Sequence, residues 1–235
     1  MNLCEFIGFL YRDGNIYYSK KYRKYRIELV GGEEDYEYIR QINDFLFETT
    51  NKKPLFFIRK ERIGKTIRLH FNNKEFVDKL ISMGLVSGRK TFTAIVPEFI
   101  FKNKENFCDF LRGLFEADGC LYFSKSKKGE FPTYPRLEIV SSSENLVEQI
   151  KSFLERENFI VYVKKKKGTR SFGIYLSGEK MLEKWKDLIG LNSQKNRTKY
   201  DLWKAKGFYI PHTPLKERIN ICTGGTMVNA PPCSL

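Results

Sequence analysis

Residues 6–14 read FIGFLYRDG, and residues 111–119 read LRGLFEADG, a divergent copy of the same pattern. Each copy is an apolar helical pattern with a glycine in the middle and Asp-Gly at its end. The two aspartates, Asp13 and Asp118, lie 105 residues apart (118 − 13). The pattern predicts two equivalent helices, each ending in a carboxylate.

The duplication continues beyond these motifs. NIYYSK at residues 15–20 corresponds to CLYFSK at 120–125, and RIELV at 26–30 corresponds to RLEIV at 136–140. Apolar and polar residues alternate in these segments, as they do in half-buried strands. In each half an amphipathic helical pattern, a second pair of strands and a last amphipathic helix follow. Each half is therefore predicted to be αββαββα.

The repeats divide the 235 residues into four parts. The first half is predicted to span residues 1–95 and the second half residues 107–207. A linker over 96–106, which contains Pro97 and a polar run, joins them. Residues 208–235 carry four prolines and a Gly-Gly pair, and they are predicted to form an irregular tail. The predicted fold class is α+β, with two pseudo-twofold-related halves and the two motif helices at their interface.

The composition indicates an anionic partner. Lysine and arginine number 42 against 28 aspartates and glutamates, a net charge of +14. A domain this basic most often binds nucleic acid, although a solvated lysine-rich surface gives the same balance. Five cysteines without a CxxC pair and only two histidines argue against a zinc site. The odd cysteine count and the lack of a signal peptide favour an intracellular location, in the cytoplasm or an organelle, and no apolar run is long enough for a membrane span.

The motif residues have a physical reason to recur. Gly8 and Gly113 stand mid-helix, where glycine is unfavourable, so they are expected to permit close approach of two helix backbones. This approach would bring Asp13 and Asp118 together, and two adjacent carboxylates repel unless a cation lies between them. Either aspartate alone is equally consistent with a turn residue before glycine, but the pair in register favours a metal site. Oxygen ligands select hard cations, so Mg²⁺ is expected, with Mn²⁺ as a substitute.

The duplicated motif and its matching strands and helices resemble the LAGLIDADG homing endonucleases, specifically the single-chain members with two motifs. The resemblance covers about residues 3 to 205. It implies that Asp13 and Asp118 bind the metal together with the backbone carbonyls of Arg12 and Ala117. Tyr11 and Glu116 occupy a motif position that is generally not a metal ligand in the family, and neither is predicted to be catalytic.

The family also carries basic residues beside its active sites, which implies catalytic roles for Lys90 and Lys195. These lysines share the 105-residue offset, and solvated surface lysines are the alternative. Some relatives position solvent with a glutamine at the strand-to-helix junction. Here the junctions read VGGE at 30–33 and VSSS at 140–143, so the first has no hydrogen-bonding side chain at either glycine. The two active sites are therefore expected to differ.

By the same resemblance, the strands form a saddle that lies in the DNA major groove, where base edges carry the full code. The predicted base-contacting residues are Tyr17, Ser19, Arg26, Glu28, Arg68 and His70 in the first half, and Tyr122, Ser124, Arg136, Glu138 and Tyr175 in the second. Basic runs are predicted to be hairpin loops that contact phosphates, with solvated turns as the alternative. Their residues are Lys20, Lys21, Arg23 and Lys24 in the first half and Lys164 and Lys166 in the second, and Lys125 is also predicted to contact DNA.

The leading hypothesis is a monomeric, Mg²⁺-dependent, site-specific double-strand DNA endonuclease that requires no protein partner. The resemblance implies a long, partly asymmetric target, short 3′ overhangs, and mobility of the intron or intein that encodes the protein. The alternatives are an intron RNA-splicing maturase and a non-catalytic DNA-binding regulator on the same scaffold. Retention of Asp13 and Asp118 argues against a purely binding role. The tail is too short and proline-rich for the helix-turn-helix that regulators usually append. A complete intein is not expected, because the first motif begins close to residue 1.

Overall fold

A computed structural model describes residues 1–61, 64–88, 92–125 and 129–223. In the first half the elements are α1 (Leu3–Asp13), β1 (Gly14–Ser19), β2 (Lys24–Gly32), a 3₁₀ turn (Glu33–Asp35), α2 (Tyr36–Thr50), β3 (Leu55–Lys60), β4 (Lys65–Asn72) and α3 (Lys74–Ser82). They are followed by α4 (Glu98–Phe101), α5 (Lys104–Asp118), β5 (Cys120–Lys125), β6 (Pro132–Ser141), α6 (Glu144–Arg156), β7 (Tyr162–Lys165), β8 (Phe172–Ser177), α7 (Glu179–Leu188), α8 (Gln194–Lys206) and α9 (Leu215–Cys222).

Each half contains one antiparallel sheet of four strands, and the two sheets have the same topology. The strand orders are β1-β2-β4-β3 and β5-β6-β8-β7. On one face of each sheet the side chains are buried, among them Ile27 and Leu69 in the first and Leu137 and Ile174 in the second. Because side chains alternate along a strand, the polar residues between them lie on the opposite face. The predicted α+β fold of two equivalent halves is confirmed.

The motif helices α1 and α5 pack directly against each other between the two sheets. A Cβ atom added to Gly8 would overlap the carbonyl oxygen of Phe110, and one added to Gly113 would overlap the carbonyl oxygen of Glu5. The backbones are therefore too close for any side chain at these positions, which offsets the low helix propensity of glycine.

The connection between the halves differs from the linker predicted over residues 96–106, because it contains α4 and the start of α5. The side chain of Asn103 accepts a hydrogen bond from the amide of Asn106 and caps α5, so the polar run is a helix N-terminus. The preceding segment is tied to both halves. The Tyr11 hydroxyl donates to the carbonyl of Ile95 over 2.7 Å, and the Ser143 hydroxyl donates to the carbonyl of Ala94 over 2.6 Å.

The C-terminal region also contains more helix than the repeat predicts. Helix α8 follows α7, although the αββαββα pattern predicts no further helix, and the hydroxyl of Ser193 caps its N-terminus. Helix α9 lies within the segment predicted to be an irregular tail, and it packs on α8. Pro214 is the N-cap residue of α9. This proline therefore precedes a helix and does not mark an irregular segment. Residues 224–235 of the predicted tail lie outside the described residues. Among the described helices, none has the length and apolarity to cross a membrane.

Candidate active site at the ends of the motif helices

The two motif helices end beside each other. Helix α1 ends at Asp13 and β1 begins at Gly14, whereas α5 ends at Asp118 and Gly119 separates it from β5. The guanidinium of Arg12 donates to the Asp118 carboxylate in the other half, so one side chain spans the two helix ends. The last carbonyls of a helix lack intrahelical partners, and those of Arg12 and Ala117 belong to this group. The ends of the two motif helices, which carry the predicted carboxylates and carbonyls, thus meet at one place, the helix-end junction.

The two aspartates have different surroundings. The side chain of Asp118 is 52% exposed, whereas Asp13 is half-buried. Burial, with the nearby Asp35 carboxylate as the second cause, raises the pKa of Asp13 from 3.8 to about 6, although Lys195 and Arg12 oppose this shift. The ionised form of Asp13 is therefore held at a cost that a bound cation would relieve.

Asp35 is a site residue that the sequence reasoning missed. One of its carboxylate oxygens accepts from the amide of Gly32 over 2.9 Å, and the other accepts from Lys195 Nζ over 2.8 Å. The 3₁₀ turn directs Asp35 back over the two glycines, where an added Cβ on Gly31 would lie 3.0 Å from the Asp35 Cβ. Gly31 and Gly32 themselves carry no hydrogen-bonding side chain, and Asp35, from the 3₁₀ turn that follows, supplies a carboxylate at this junction. The Gly-x-x-Asp spacing, a capping pattern, was the available signal.

Lys195 lies at the first strand-to-helix junction, which follows β2, and its contacts connect the two halves. Besides Asp35, its ammonium group donates to the carbonyl of Glu116 over 3.2 Å. Lys195 stands in the first turn of α8 in the second half, whereas Asp35 belongs to the first half. The other predicted lysine, Lys90, lies outside the described residues.

A buried carboxylate fixes the turn that carries Lys195. Glu116 is 1% exposed, and it accepts from the Asn192 amide over 2.6 Å, from the Ser193 hydroxyl, and from the Asn196 side-chain amide over 2.7 Å. Burial raises the pKa of Glu116, while these hydrogen bonds act in the opposite direction. Because each of these bonds is donated to the carboxylate, the geometry is that of the ionised form. Glu116 therefore attaches the start of α8 to α5.

Substituting Glu116→Gln is expected to lower the free energy of unfolding by about 1–3 kcal/mol, because an amide nitrogen would face buried donors it cannot accept from. Urea unfolding at pH 8 measures the change. The control is Glu48→Gln, an exposed residue of α2 that is expected to change stability by less than about 0.5 kcal/mol. An unchanged stability for Glu116→Gln would contradict the carboxylate's role as an acceptor.

Helix α9 contacts the same junction from outside. The Arg218 side chain is 2% exposed, and it donates to the Tyr209 hydroxyl over 3.0 Å and to the Glu34 carboxylate over 2.6 Å. Glu34 precedes Asp35 in the 3₁₀ turn. The C-terminal helices thus hold the first-half junction through Lys195 and Arg218, and Arg218 belongs to a helix that lies outside the duplicated sequence.

The second junction is chemically different. The hydroxyl of Ser142 pairs with the hydroxyl of Ser171 at 2.8 Å, and Ser143 caps α6. No carboxylate takes the place of Asp35 among the described contacts of these serines. The first junction carries a carboxylate–ammonium pair, whereas the second carries neutral hydroxyls.

Residues 108–190 match the family of LAGLIDADG-like domains. The chain has the LAGLIDADG fold. The structure of the meganuclease I-AabMI bound to uncleaved DNA matches with a TM-score of 0.58 and 14% identity, covering 96% of this chain and 99% of that one. The structure of I-DmoI with DNA and Mn matches with a TM-score of 0.56 and 19% identity, covering 81% and 96%. The N-terminal LAGLIDADG domain of WhiA matches with a TM-score of 0.53 and 17% identity, covering 80% of each chain. No curated protein sequence matches significantly.

The polar face of the first LAGLIDADG sheet carries the predicted contact residues of that half. The cross-strand register aligns Tyr17 with Arg26, and Glu28 with His70. Arg26 donates to Asn72 over 2.9 Å and to Glu28 over 3.0 Å, so its guanidinium is oriented along the face. Ser19, the last residue of β1, pairs with Lys24, the first residue of β2. Arg68 lies on the same face opposite Val30. The turn between β1 and β2 contains Lys20, Lys21 and Arg23, all exposed, as predicted for a hairpin loop, whereas Lys24, predicted in the same loop, is the first residue of β2.

The second LAGLIDADG sheet presents the corresponding face. Tyr122 pairs with Arg136, whose Nε donates to the Ser124 hydroxyl over 3.2 Å. Glu138 pairs with Tyr175 and forms an ion pair of 2.8 Å with Lys166. Exposed Lys125 ends β5. One prediction is corrected: Lys164 belongs to edge strand β7, not to a hairpin loop, because its pairing with Gly173 continues the ladder.

Proposed function

We propose that the chain is a site-specific double-strand DNA endonuclease that requires Mg²⁺, with Mn²⁺ as a substitute. The observation that carries the proposal is the convergence of Asp13, Asp118 and Lys195 at the ends of two closely packed helices. A pair of strand faces with cationic side chains flanks this junction, and the chain carries a net charge of +14. DNA bound across both faces would place one phosphodiester of each strand near the helix ends.

The residues at the ends of the two motif helices fit a hard divalent cation. In the described part of the chain, no group of three or more His, Cys, Asp or Glu side chains is arranged to hold a metal. The donors would therefore be the Asp13 and Asp118 carboxylates and the carbonyls of Arg12 and Ala117, an all-oxygen set. The raised pKa of Asp13 supports this assignment, because burial and the Asp35 carboxylate disfavour the ionised form and a bound cation would offset both effects.

A bound divalent cation would supply charge neutralisation at the scissile phosphate and activation of water. The protein's own residues then have separate tasks. Asp13 and Asp118 supply carboxylate oxygens to the cation. Lys195 supplies a fixed positive charge where negative charge develops on the phosphate. Asp35 holds the Lys195 ammonium in place. The Arg12 side chain, which contacts Asp118, must release that carboxylate before it can bind a cation.

The target that fits two unequal faces is long and only partly palindromic. One chain contains both halves, so a monomer suffices, and the mobility of a host intron or intein is the biological role that the fold suggests. Short 3′ overhangs belong to the same proposal.

The experiment is a cleavage screen of supercoiled plasmids that carry the uninterrupted host-gene sequence, in Mg²⁺, in Mn²⁺ and in EDTA. Linear product in the metal-containing reactions, with ends sequenced on both strands, is the expected result.

One observation favours a second candidate, a protein that binds DNA without cutting it. The Arg12 guanidinium already neutralises Asp118, as a substitute for a cation. The LAGLIDADG fold occurs in WhiA as well as in homing endonucleases, so the fold alone does not establish cleavage. Tight binding to the plasmid site without linear product in either metal would favour this candidate. Tight binding to precursor RNA without DNA cleavage would favour a maturase.

Replacing Lys195 by methionine is expected to slow cleavage of one DNA strand by about 10²–10³-fold, the loss typical for one transition-state donor. Lys195 lies beside Asp13 and Asp35, whereas the second junction has no equivalent ion pair among its described contacts, so nicked plasmid should accumulate. The matched control is Arg197→Met, which removes an exposed cation from the same helix. Equal slowing of both strands would contradict the placement of Lys195 at one active site.

A further inference from the structure

The polar face of the first sheet also contains three exposed apolar side chains. Binding of phosphates by the cationic residues gives no reason for them. Val30 is 42% exposed, Leu55 is 54% exposed and Phe57 is 43% exposed. The register aligns Val30 with Arg68 and Phe57, and it aligns Leu55 with His70. These three residues therefore lie on the face that is proposed to contact DNA. We refer to Val30, Leu55 and Phe57 as the apolar cluster.

The surroundings of the apolar cluster restrict what it can bind. Arg68 lies between Val30 and Phe57 in the strand order, and the ring of His70 packs edge-on against Phe57 with centroids 5.3 Å apart. Arg59 follows on the same face of β3, because it is two residues beyond Phe57. A partner must therefore be anionic overall and also present small apolar groups. DNA meets both requirements in its major groove, where the only apolar group at a base edge is the C5 methyl of thymine.

The second sheet has Val140 at the position of Val30, but it lacks the other two members of the apolar cluster. In the equivalent register of β6, β8 and β7, Tyr162 stands where Leu55 stands, and Lys164 stands where Phe57 stands. Both are exposed hydrogen-bonding side chains. The outer strands of the two halves therefore present different chemistry to the same kind of groove. This difference affects which bases each half recognises and not the overall attraction of the protein to DNA.

We propose that the apolar cluster reads C5 methyl groups, so that the half-site under β3 requires thymine, or 5-methylcytosine, at the contacted positions. The inference rests on the proposed DNA binding but not on cleavage. A methyl group buried against Leu55 or Phe57 removes apolar surface from water, whereas cytosine or uracil at that position offers only a hydrogen. The half-site under β7 reads bases through hydrogen bonds, and it has no such requirement.

The test uses binding selection from two random duplex libraries, one synthesised with thymine and one with uracil. In the thymine library, A·T pairs should be enriched at outer positions of one half-site, and this enrichment should disappear in the uracil library. On the selected site, exchanging one contacted thymine for uracil should weaken binding about 4-fold, the effect of about 0.8 kcal/mol per methyl group. Placing 5-methylcytosine instead of cytosine at that position should strengthen binding if the methyl group is read from either base.

Variants assign the effect to the apolar cluster. Leu55→Ser and Phe57→Ser should each abolish the difference between thymine and uracil, whereas Tyr162→Ser, in the other half, should leave it unchanged. A selected site with the same preferences in both libraries would overturn the inference while leaving specific DNA binding intact. Concentration-dependent self-association that Phe57→Ser removes, with thymine and uracil still bound equally, would also overturn it in favour of a protein contact. No enriched site in either library would instead reject the proposed function.

Discussion

Asp13→Asn and Asp118→Asn are each expected to abolish double-strand cleavage, with a loss on the order of 10³-fold or more, and to leave DNA binding within a few-fold. Asparagine keeps the size of the side chain but removes the charge that would hold a divalent cation. Time courses of plasmid cleavage and gel-shift titrations, both in Mg²⁺, measure the two properties separately. Asp44→Asn, an exposed change on α2, serves as the control and should cleave normally. Persistent double-strand cutting by a variant with both motif aspartates replaced would reject the metal assignment.

Asp13→Asn should also stabilise the metal-free protein at alkaline pH. Burial and Asp35 raise the folded-state pKa of Asp13 to about 6 from its ordinary value of 3.8, so ionisation opposes folding above that range. The stability difference between wild type and variant should be fully present above pH 6 and should disappear as the pH falls towards 4. With 1.36 kcal/mol per pKa unit, and allowing for partial solvent screening, about 1–2 kcal/mol is expected. Urea unfolding in EDTA at pH 8 and pH 4 measures it.

Gly113→Ala is expected to lower the free energy of unfolding by at least about 2 kcal/mol and to abolish cleavage, even though alanine is the better helix former. The added methyl group would overlap the carbonyl oxygen of Glu5, which is backbone and cannot rotate away. The helices must separate, and this separation moves Asp13 away from Asp118. Gly8→Ala should behave in the same way against the carbonyl of Phe110. Chemical unfolding and the plasmid assay measure both effects.

A matched glycine substitution tests whether the contact, and not the residue type, causes the loss. Gly32 has ordinary extended backbone angles, with φ −83°, and an added Cβ would meet only the Asp35 carboxylate at 3.7 Å. Gly32→Ala should therefore change the unfolding free energy by less than about 1 kcal/mol. If Gly113→Ala were as harmless as Gly32→Ala, the close packing of α1 and α5 would be wrong.

The parts of the fold that follow from local periodicity were predictable. Alternation in RIELV and RLEIV reports which side chains face the core, and a strand register can hardly slip when one face is buried. This reasoning placed Tyr17, Arg26 and Glu28 on one face, where the structure has them. It failed at 96–106, where a polar run was interpreted as a break although Asn103 caps a helix.

The candidate site was predictable only where the duplication has two copies. Asp13 and Asp118 could be recognised because each confirms the other's register. Asp35 has no counterpart, and its position depends on a 3₁₀ turn that brings it back over Gly31 and Gly32. Arg218 could not be found by comparing the halves, because α9 lies outside the repeat and its contact with Glu34 spans 184 residues.

The sequence by itself determined the two-fold repetition, the glycines that let the motif helices approach, and the two aspartates at their ends, because each of these is encoded by short-range patterns that occur twice. The tertiary structure decided what surrounds those aspartates. Burial, the Asp35 carboxylate and the Lys195 ammonium come from three elements far apart in the chain, and electrostatic interactions depend on distance in space. The near-symmetric motif therefore ends in an asymmetric junction, in which one aspartate is half-buried beside an ion pair and the other is exposed and held by Arg12.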